Sequence, residues 1–335
     1  LKNQKQIEHY IFSGPLSNAL ERFIAEKRGM GNTYNAQARA LFRFDKFTLN
    51  YICDKDVLSK ELVEAWICKT PNESPNNQKL RVWLLQQLSR FMQRYGYEAY
   101  IPLSDIAKKS IGTYVPYIYN DTELAELFHQ ADLCKFQIQS PNKHLIIPLL
   151  LRILYGCGLR ISEALNLKVK DIDLENGLLS IYGAKFDNDR LVPMATSLTE
   201  RCRIYFRQVH SFSDPSAVFL PTPDNGVYKA QVIYREFRKL LWQAGISHGG
   251  KGHGPRIHDL RHAFSVHCLR SWVLSGVDIS AAMPLLSAYL GHSNLQGTQH
   301  YLRLTADIFP HITELLEMKF GDCIPALGGD DVETD

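Results

Sequence analysis

Tyr301 stands in a polar, glycine-bearing stretch, GHSNLQGTQHYLRLT at 291–305, with His292 nine residues before it and His300 and Arg303 close by. A phenol in such a setting either half-buries its ring with the hydroxyl in water or works with groups elsewhere in the chain. Groups of suitable type exist. Arg160, in YGCGLRISEALNL, follows a glycine-marked turn just where a helix should start. Free N–H groups and the dipole draw anions to helix starts, so an arginine there suits a phosphate. The plainer alternative is an ion pair with Glu163 one turn on, worth little at a surface. HDLRH puts His258 and Arg261 one turn apart on a single helix face. Lys185 sits at a strand end in YGAKFDNDRLVP, a place where a lysine is ordinarily solvated. A metal site on His258 and His262, spaced i,i+4, lacks the glutamate of H-E-x-x-H and any third ligand. By type, the set offers guanidiniums for an anion, imidazoles that exchange protons near neutral pH, and one phenol.

The elements that must position these groups are mostly helical. Leu16, Leu20, Phe23 and Ile24 recur as an amphipathic stripe, broken at GMGN, with Asn32 or Thr33 as the next N-cap. A second stripe runs through Ala40, Leu41, Phe44 and Phe47, with Arg39, Arg43 and Lys46 on its other side. DVLSKELVEAWI reads as a short third helix and TPNESPNN as a loop. Residues 79–95 form a fourth helix, with Leu80, Trp83, Leu84, Leu88, Phe91 and Tyr95 inward and Lys79, Arg81, Arg90 and Arg94 outward. A linker follows, then a helix from Asp121 or Thr122 with acids in its first turns. An apolar helix spans 143–155, and LLSIYGAKFDNDRLVPM reads as a β-hairpin turning at DND. Helices at 195–209 and 229–244, the stretch IHDLRHAFSVHCLRSWVL and a helix near 280–290 complete the chain. The fold class expected is mainly α with a small β-hairpin or sheet. Its division is 1–102 helical, 103–120 linker, 121–318 α+β, and 319–335 an acidic tail expected to be disordered.

At 335 residues, two domains are expected. The net charge of +3 is a weak pointer to a nucleic-acid partner, and GGDDVETD at the end makes the remainder more basic. No run of eighteen apolar residues and no leader pattern occur, so no membrane role is expected. Seven scattered cysteines without a C-x-x-C pair read as reduced thiols of a cytoplasmic protein and exclude a zinc ribbon.

Taken in order, Arg160, Lys185, His258-x-x-Arg261, His292 and Tyr301 resemble the tyrosine recombinase family of phage-integrase type. The matching motifs are GLRISEAL, AKFDNDRLVP, HDLRH, LGHS and the tyrosine nine residues beyond that histidine. The likeness covers about 120–310 closely. It covers 14–100 loosely, as the helical DNA-clamping domain that precedes the catalytic one. Two departures matter. The interval from Arg261 to His292 is longer than in common integrases and resembles integrases of bacterial mobile elements. AKF replaces the usual GKG, which leaves Lys251 in GGKGHG as a rival to Lys185.

The resemblance implies a site-specific recombinase acting on double-stranded DNA without cofactor, metal or ATP. Charge building on the phosphate in the transition state is met elsewhere by divalent ions; here Arg160 and Arg261 would take that role, with His292 adding a hydrogen bond. Tyr301 would attack, His258 act as base, and Lys185 protonate the leaving 5′ oxygen. The product is a 3′-phosphotyrosyl link that stores the bond energy. Glu163 would brace Arg160, and His300 is left structural. Arg39, Arg43, Lys46, Lys79, Arg81, Arg90 and Arg94 would meet the DNA backbone. The family also implies a homo-tetramer on DNA and a monomer without it, with a companion recombinase or accessory protein in some systems. A short apolar helix in 305–327 either docks on a neighbour or packs within its own subunit. The rivals are a type IB topoisomerase and a DNA-binding regulator that has lost catalysis.

Overall fold

Leu16, Leu20, Phe23 and Ile24 are all buried, and the helix they imply is α1 (Ser17–Gly29). The computed structural model describes residues 7–103, 115–182, 189–250 and 254–292, with 298 and 301. Lys185, Lys251, most of the 103–120 linker, the helix expected within 305–327 and the 319–335 tail lie outside the described residues. The chain divides into two units, 1–114 and 115–335.

In the first unit, α2 (Asn35–Thr48), α3 (Lys60–Ile67) and α4 (Pro75–Arg94) pack with α1 around Phe23, Leu41, Phe44, Leu85 and Leu88. Neither Asn32 nor Thr33 caps α2. Tyr34 does, in the left-handed region at φ 52°, because its ring is buried edge-on against Phe23. α4 starts inside the expected loop, where Ser74 Oγ accepts from Asn77 N and Pro75 occupies the first turn. Its inward face also differs from expectation. Val82, Leu85, Leu88 and Met92 fill the core beside Leu84 and Phe91, which turns Leu80, Trp83 and Tyr95 outward. An apolar helix with two usable stripes can settle on either; here the stripe through Leu85 and Met92 wins.

In the second unit, Asn120 and Glu123 form a capping box that starts α5 (Asp121–Asp132). α6 (Lys143–Gly156) is buried along most of its length and packs against α5, α8 (Thr196–Val209) and α10 (Asp259–Leu274). The one-turn α7 (Ile161–Leu165) follows, then an antiparallel sheet in the order β1 (Ile172–Asp173), β2 (Leu178–Ile181), β3 (Arg190–Pro193). The register pairs Leu178 with Pro193 and Ile181 with Arg190. β1 was not legible in the sequence, being only two residues long. α9 (Ala230–Gln243) closes the main core, and α11 (Ile279–Leu290) packs on both α10 and β3. No described helix is long and apolar enough to cross a membrane.

The turn from α6 to α7 depends on Gly158 at φ +57°, where a Cβ would lie 2.7 Å from Phe264 Cδ1 and 2.9 Å from Leu290 Cδ2. Left-handed backbone and overpacking each cost about 1–3 kcal/mol. Gly158→Ala is therefore expected to lower the thermal midpoint of the full chain, read by calorimetry. An unchanged midpoint would show that this turn does not require glycine.

Candidate active site

Glu163, on α7, is the hub of the site. Its Oε1 accepts from Arg160 Nη1 at 2.7 Å and Arg190 Nη1 at 3.2 Å. Its Oε2 accepts from the Arg160 backbone N–H and from Arg190 Nη2, both at 2.9 Å, and lies 4.0 Å from Arg261 Nη1. Burial pushes the Glu163 carboxyl up, but the Arg190 and Arg160 hydrogen bonds and charges hold it below its ordinary value. Glu163 thus braces Arg160 and, beyond what its sequence position suggested, Arg190 as well. α7 has only five residues, so the charge for an anion comes from the guanidiniums rather than from a helix dipole.

The C-terminus of α11 supplies the second set of anchors. A helix ends with carbonyls that have no partner inside it. Three successive ones here each accept from a different arginine: Tyr289 O from Arg190 Nε at 2.8 Å, Leu290 O from Arg261 Nη2 at 2.7 Å, and Gly291 O from Arg160 Nη2 at 3.3 Å. Arg261 Nη1 also donates to Gly158 O at 2.7 Å. Gly291 ends the helix at φ +67°, and a Cβ there would lie 2.8 Å from Arg190 Nη1. The backbone of Tyr289, Leu290 and Gly291 is therefore the wall to which the arginines are pinned. Three guanidiniums face one carboxylate, leaving two positive charges in excess among these residues. Arg261 is only 2% exposed, and burial followed by the Arg160 charge lowers it to about 10, so it stays cationic at neutral pH.

His258 caps α10. His258 is exposed to solvent. Burial, then Arg261 and Arg160, lower it to about 4, and the same causes lower His292 to about 4. Both are neutral at pH 7 and able to accept a proton. His292 Nδ1 pairs with Thr298 Oγ1 at 2.8 Å, and its ring lies nearly parallel to Tyr301 at 6.2 Å.

Tyr301 does not stand in the polar setting its sequence suggested. It is 2% exposed and packs with Val266, Leu269, Met283, Leu286 and Leu290. Its neighbours in the sequence are polar, but the faces of α10 and α11 that receive the ring are apolar. Its hydroxyl lies 3.2 Å from His262 Nδ1, and the His262 ring meets His258 edge-on at 4.9 Å. The i,i+4 histidines are thus an edge-to-face pair, with His262 next to the phenol. No metal-binding cluster occurs among the described residues.

The structure brings together Arg160, His258, Arg261, His292 and Tyr301, with Glu163. Sequence reasoning missed Arg190 and His262. Arg190 lies in the RLVP motif with no signal of its own, and His262 is marked in the sequence only by its i,i+4 spacing to His258. In the first unit, Arg43 and Arg90 are exposed and Lys79 is half-buried. Arg39 pairs with Glu8, Arg94 with Glu26, and Lys46 donates to Ser13, all three at the surface. Arg81 is not on an outward cationic face. Its guanidinium is spent on Glu73 and on the carbonyls of Trp66 and Cys68, because it closes the corner between α3 and α4.

Residues 122–307 match the Phage integrase family. The chain is 29% identical over 315 residues to y4rB of Sinorhizobium fredii, named as an integrase/recombinase, covering 91% of this chain and 98% of the relative. It is 38% identical over 159 residues to the tyrosine recombinase XerA of Thermococcus kodakarensis, about half of each chain. Among solved structures, the XerH recombinase bound to a difH substrate superposes with TM-score 0.60 at 19% identity, covering 85% of this chain and 78% of that one. The Tn1549 transposon integrase bound to circular-intermediate DNA gives TM-score 0.59 at 20% identity, covering 84% and 94%. These two similarities concern the fold.

Glu163→Gln keeps the shape of the hub and removes its charge. Breaking a buried pair costs about 3–5 kcal/mol, so unfolding of this variant should occur well below the wild-type temperature. A carboxyl held below its ordinary value of 4.5 stabilises at higher pH, and that stabilisation is lost as pH falls through its lower folded value. The Gln variant should lack this acid-side component in a stability–pH series. Equal stability and an identical acid limb would show that Glu163 is not the hub.

Proposed function

The chain belongs to the phage integrase family of tyrosine recombinases, and we infer that it recombines DNA at specific sites through attack of Tyr301 on a phosphate seated against Arg160 and Arg261. The observation that carries this reading is the pinned group of arginines with a phenol packed beside it. A phosphodiester carries one negative charge, and its pentacovalent transition state carries two. Two excess positive charges match the second better than the first, which is the condition for lowering a barrier rather than only binding. Donors of this kind are each worth about 3–4 kcal/mol.

In this reading Tyr301 Oη bonds to phosphorus, the bond to the 5′ oxygen breaks, and a 3′-phosphotyrosyl link holds the energy for rejoining. His292, neutral, hydrogen-bonds a nonbridging oxygen. His258 is the base assigned from sequence, and Lys185, or Lys251 in its place, protonates the leaving oxygen. Fixed cations replace metal, so neither metal nor ATP is required. Arg39, Arg43, Lys46, Lys79, Arg90 and Arg94 of the helical unit contact the DNA backbone, making affinity salt-dependent. The ion pairs of Arg39 and Arg94 leave both at the surface, within reach of phosphates. Two duplexes are exchanged by a homo-tetramer assembled on DNA from monomers, with a companion recombinase or accessory protein where the site demands one. The long interval between Arg261 and His292 supports movement of a transposon or similar element as the setting, in the cytoplasm on nucleoid DNA.

The test is a set of nicked duplexes tiled across the DNA flanking the gene on both sides. Wild type is expected to form a covalent adduct with some of them in EDTA, and Tyr301→Phe with none. Absence of any wild-type adduct contradicts the reading, and so does relaxation of supercoiled plasmids without site dependence, the behaviour of a type IB topoisomerase.

A further inference from the structure

Within the reading of Tyr301 as nucleophile, the family resemblance assigns the base to His258, but among the described residues the phenol hydroxyl lies against His262. We propose that His262 is a catalytic residue that accepts the Tyr301 proton as the phenol attacks phosphorus.

Three observations carry this. First, the Tyr301 hydroxyl and His262 Nδ1 are 3.2 Å apart, within reach for proton transfer. With the proton of neutral imidazole on Nε2, Nδ1 is the acceptor and the phenol the donor. Second, His262 shares one face of α10 with His258 and Arg261, at i, i+3 and i+4. Arg261 is fixed at both ends, to Gly158 O and Leu290 O. The acceptor is thus built on the same rigid turn as a phosphate-holding guanidinium, and its placement does not depend on a loop. Third, the Tyr301 ring is packed into an apolar bed whose members Val266 and Leu269 also lie on α10. Nucleophile and acceptor are positioned by one helix.

The step balances. The Tyr301 oxygen bonds to phosphorus, its proton moves to His262 Nδ1, the bond to the 5′ oxygen breaks, and that oxygen takes a proton from the leaving-group acid. Rejoining runs the steps backwards, and the imidazolium returns its proton to the phenolate. A proton arriving at 262 adds positive charge to a site that already holds Arg160, Arg190 and Arg261, with His258 and His292 beside it. Transfer is therefore favoured only once a phosphate has brought negative charge into the site, so the tyrosine is activated when DNA is seated. His258, edge-on to His262 and exposed, is left to contact the phosphate.

The experiment measures single-turnover adduct formation on whichever flank duplex the wild type cleaves. His262→Asn keeps a polar group near the Nδ1 position but cannot take a proton, and His262→Ala removes both functions. Both should slow cleavage near neutral pH by about 10²-fold or more. The loss should shrink as pH rises and hydroxide removes the phenol proton instead. A duplex with sulfur in place of the bridging 5′ oxygen needs no leaving-group acid, so it should not rescue His262→Asn. Thermal midpoint and DNA gel shift check that the variants fold and bind. Cleavage by His262→Asn at the wild-type rate with the wild-type pH profile overturns the proposal, and so does its rescue by the bridging sulfur. Failure of the wild type itself to form an adduct overturns instead the reading on which the proposal rests.

Discussion

One carboxylate holds the site together. Glu163 bonds Arg160 and Arg190 directly and lies 4.0 Å from Arg261, while three consecutive carbonyls at the end of α11 take one hydrogen bond from each arginine. Guanidiniums repel one another, and burying them without partners costs several kcal/mol per ion. The hub and the helix end make their convergence possible, yet leave the site short of negative charge. In the proposed reading, a phosphate fills that deficit. Catalysis of this type requires donors that are already in place when charge develops, and every arginine here has its orientation set by groups other than the substrate.

The same anchors tie distant parts of the second unit to one another. Arg190 is the first residue of β3 and bonds both α7 and the end of α11, so β3, α7 and α11 are tied together at the site. Gly158 and Gly291 serve the same geometry from opposite sides. At each, a left-handed turn lets the backbone come close enough for its carbonyl, or that of its neighbour, to meet a guanidinium. The phenol is sheltered to a comparable degree. Tyr301 is only 2% exposed, so the proposed attack on a phosphate requires its side chain or its cover to shift.

Much of this was legible in the sequence. The apolar stripes of α1 and α2, the acid-led start of α5 and the apolar run of α6 placed those elements, and the hairpin followed from alternation. Arg160, His258, Arg261, His292 and Tyr301 were singled out by the order of their motifs, and the structure places them in one region. The misses have physical causes. α4 carries two apolar stripes, and only its packing partners decide between them. Arg81 looked like a solvated cation because its partners, Glu73 and two carbonyls, are brought near by the turn between α3 and α4. The burial of Tyr301 depends on side chains of α10 and α11, not on its polar neighbours. Arg190 and His262 do nothing at their own positions in the sequence that marks them out. Their importance comes from Glu163 and Tyr301, 27 and 39 residues away.

The central claim is that the arginines are there to neutralise a phosphate. Arg160 tests it best, being the more exposed of the two proposed phosphate contacts and the less involved in packing. The measurement is cleavage by Arg160→Ala of two duplexes, one natural and one carrying a neutral methylphosphonate at the scissile position. If the guanidinium works against phosphate charge, the variant should lose about 10²–10³-fold on the natural duplex and recover most of that loss on the neutral one. An equal loss on both would contradict the account.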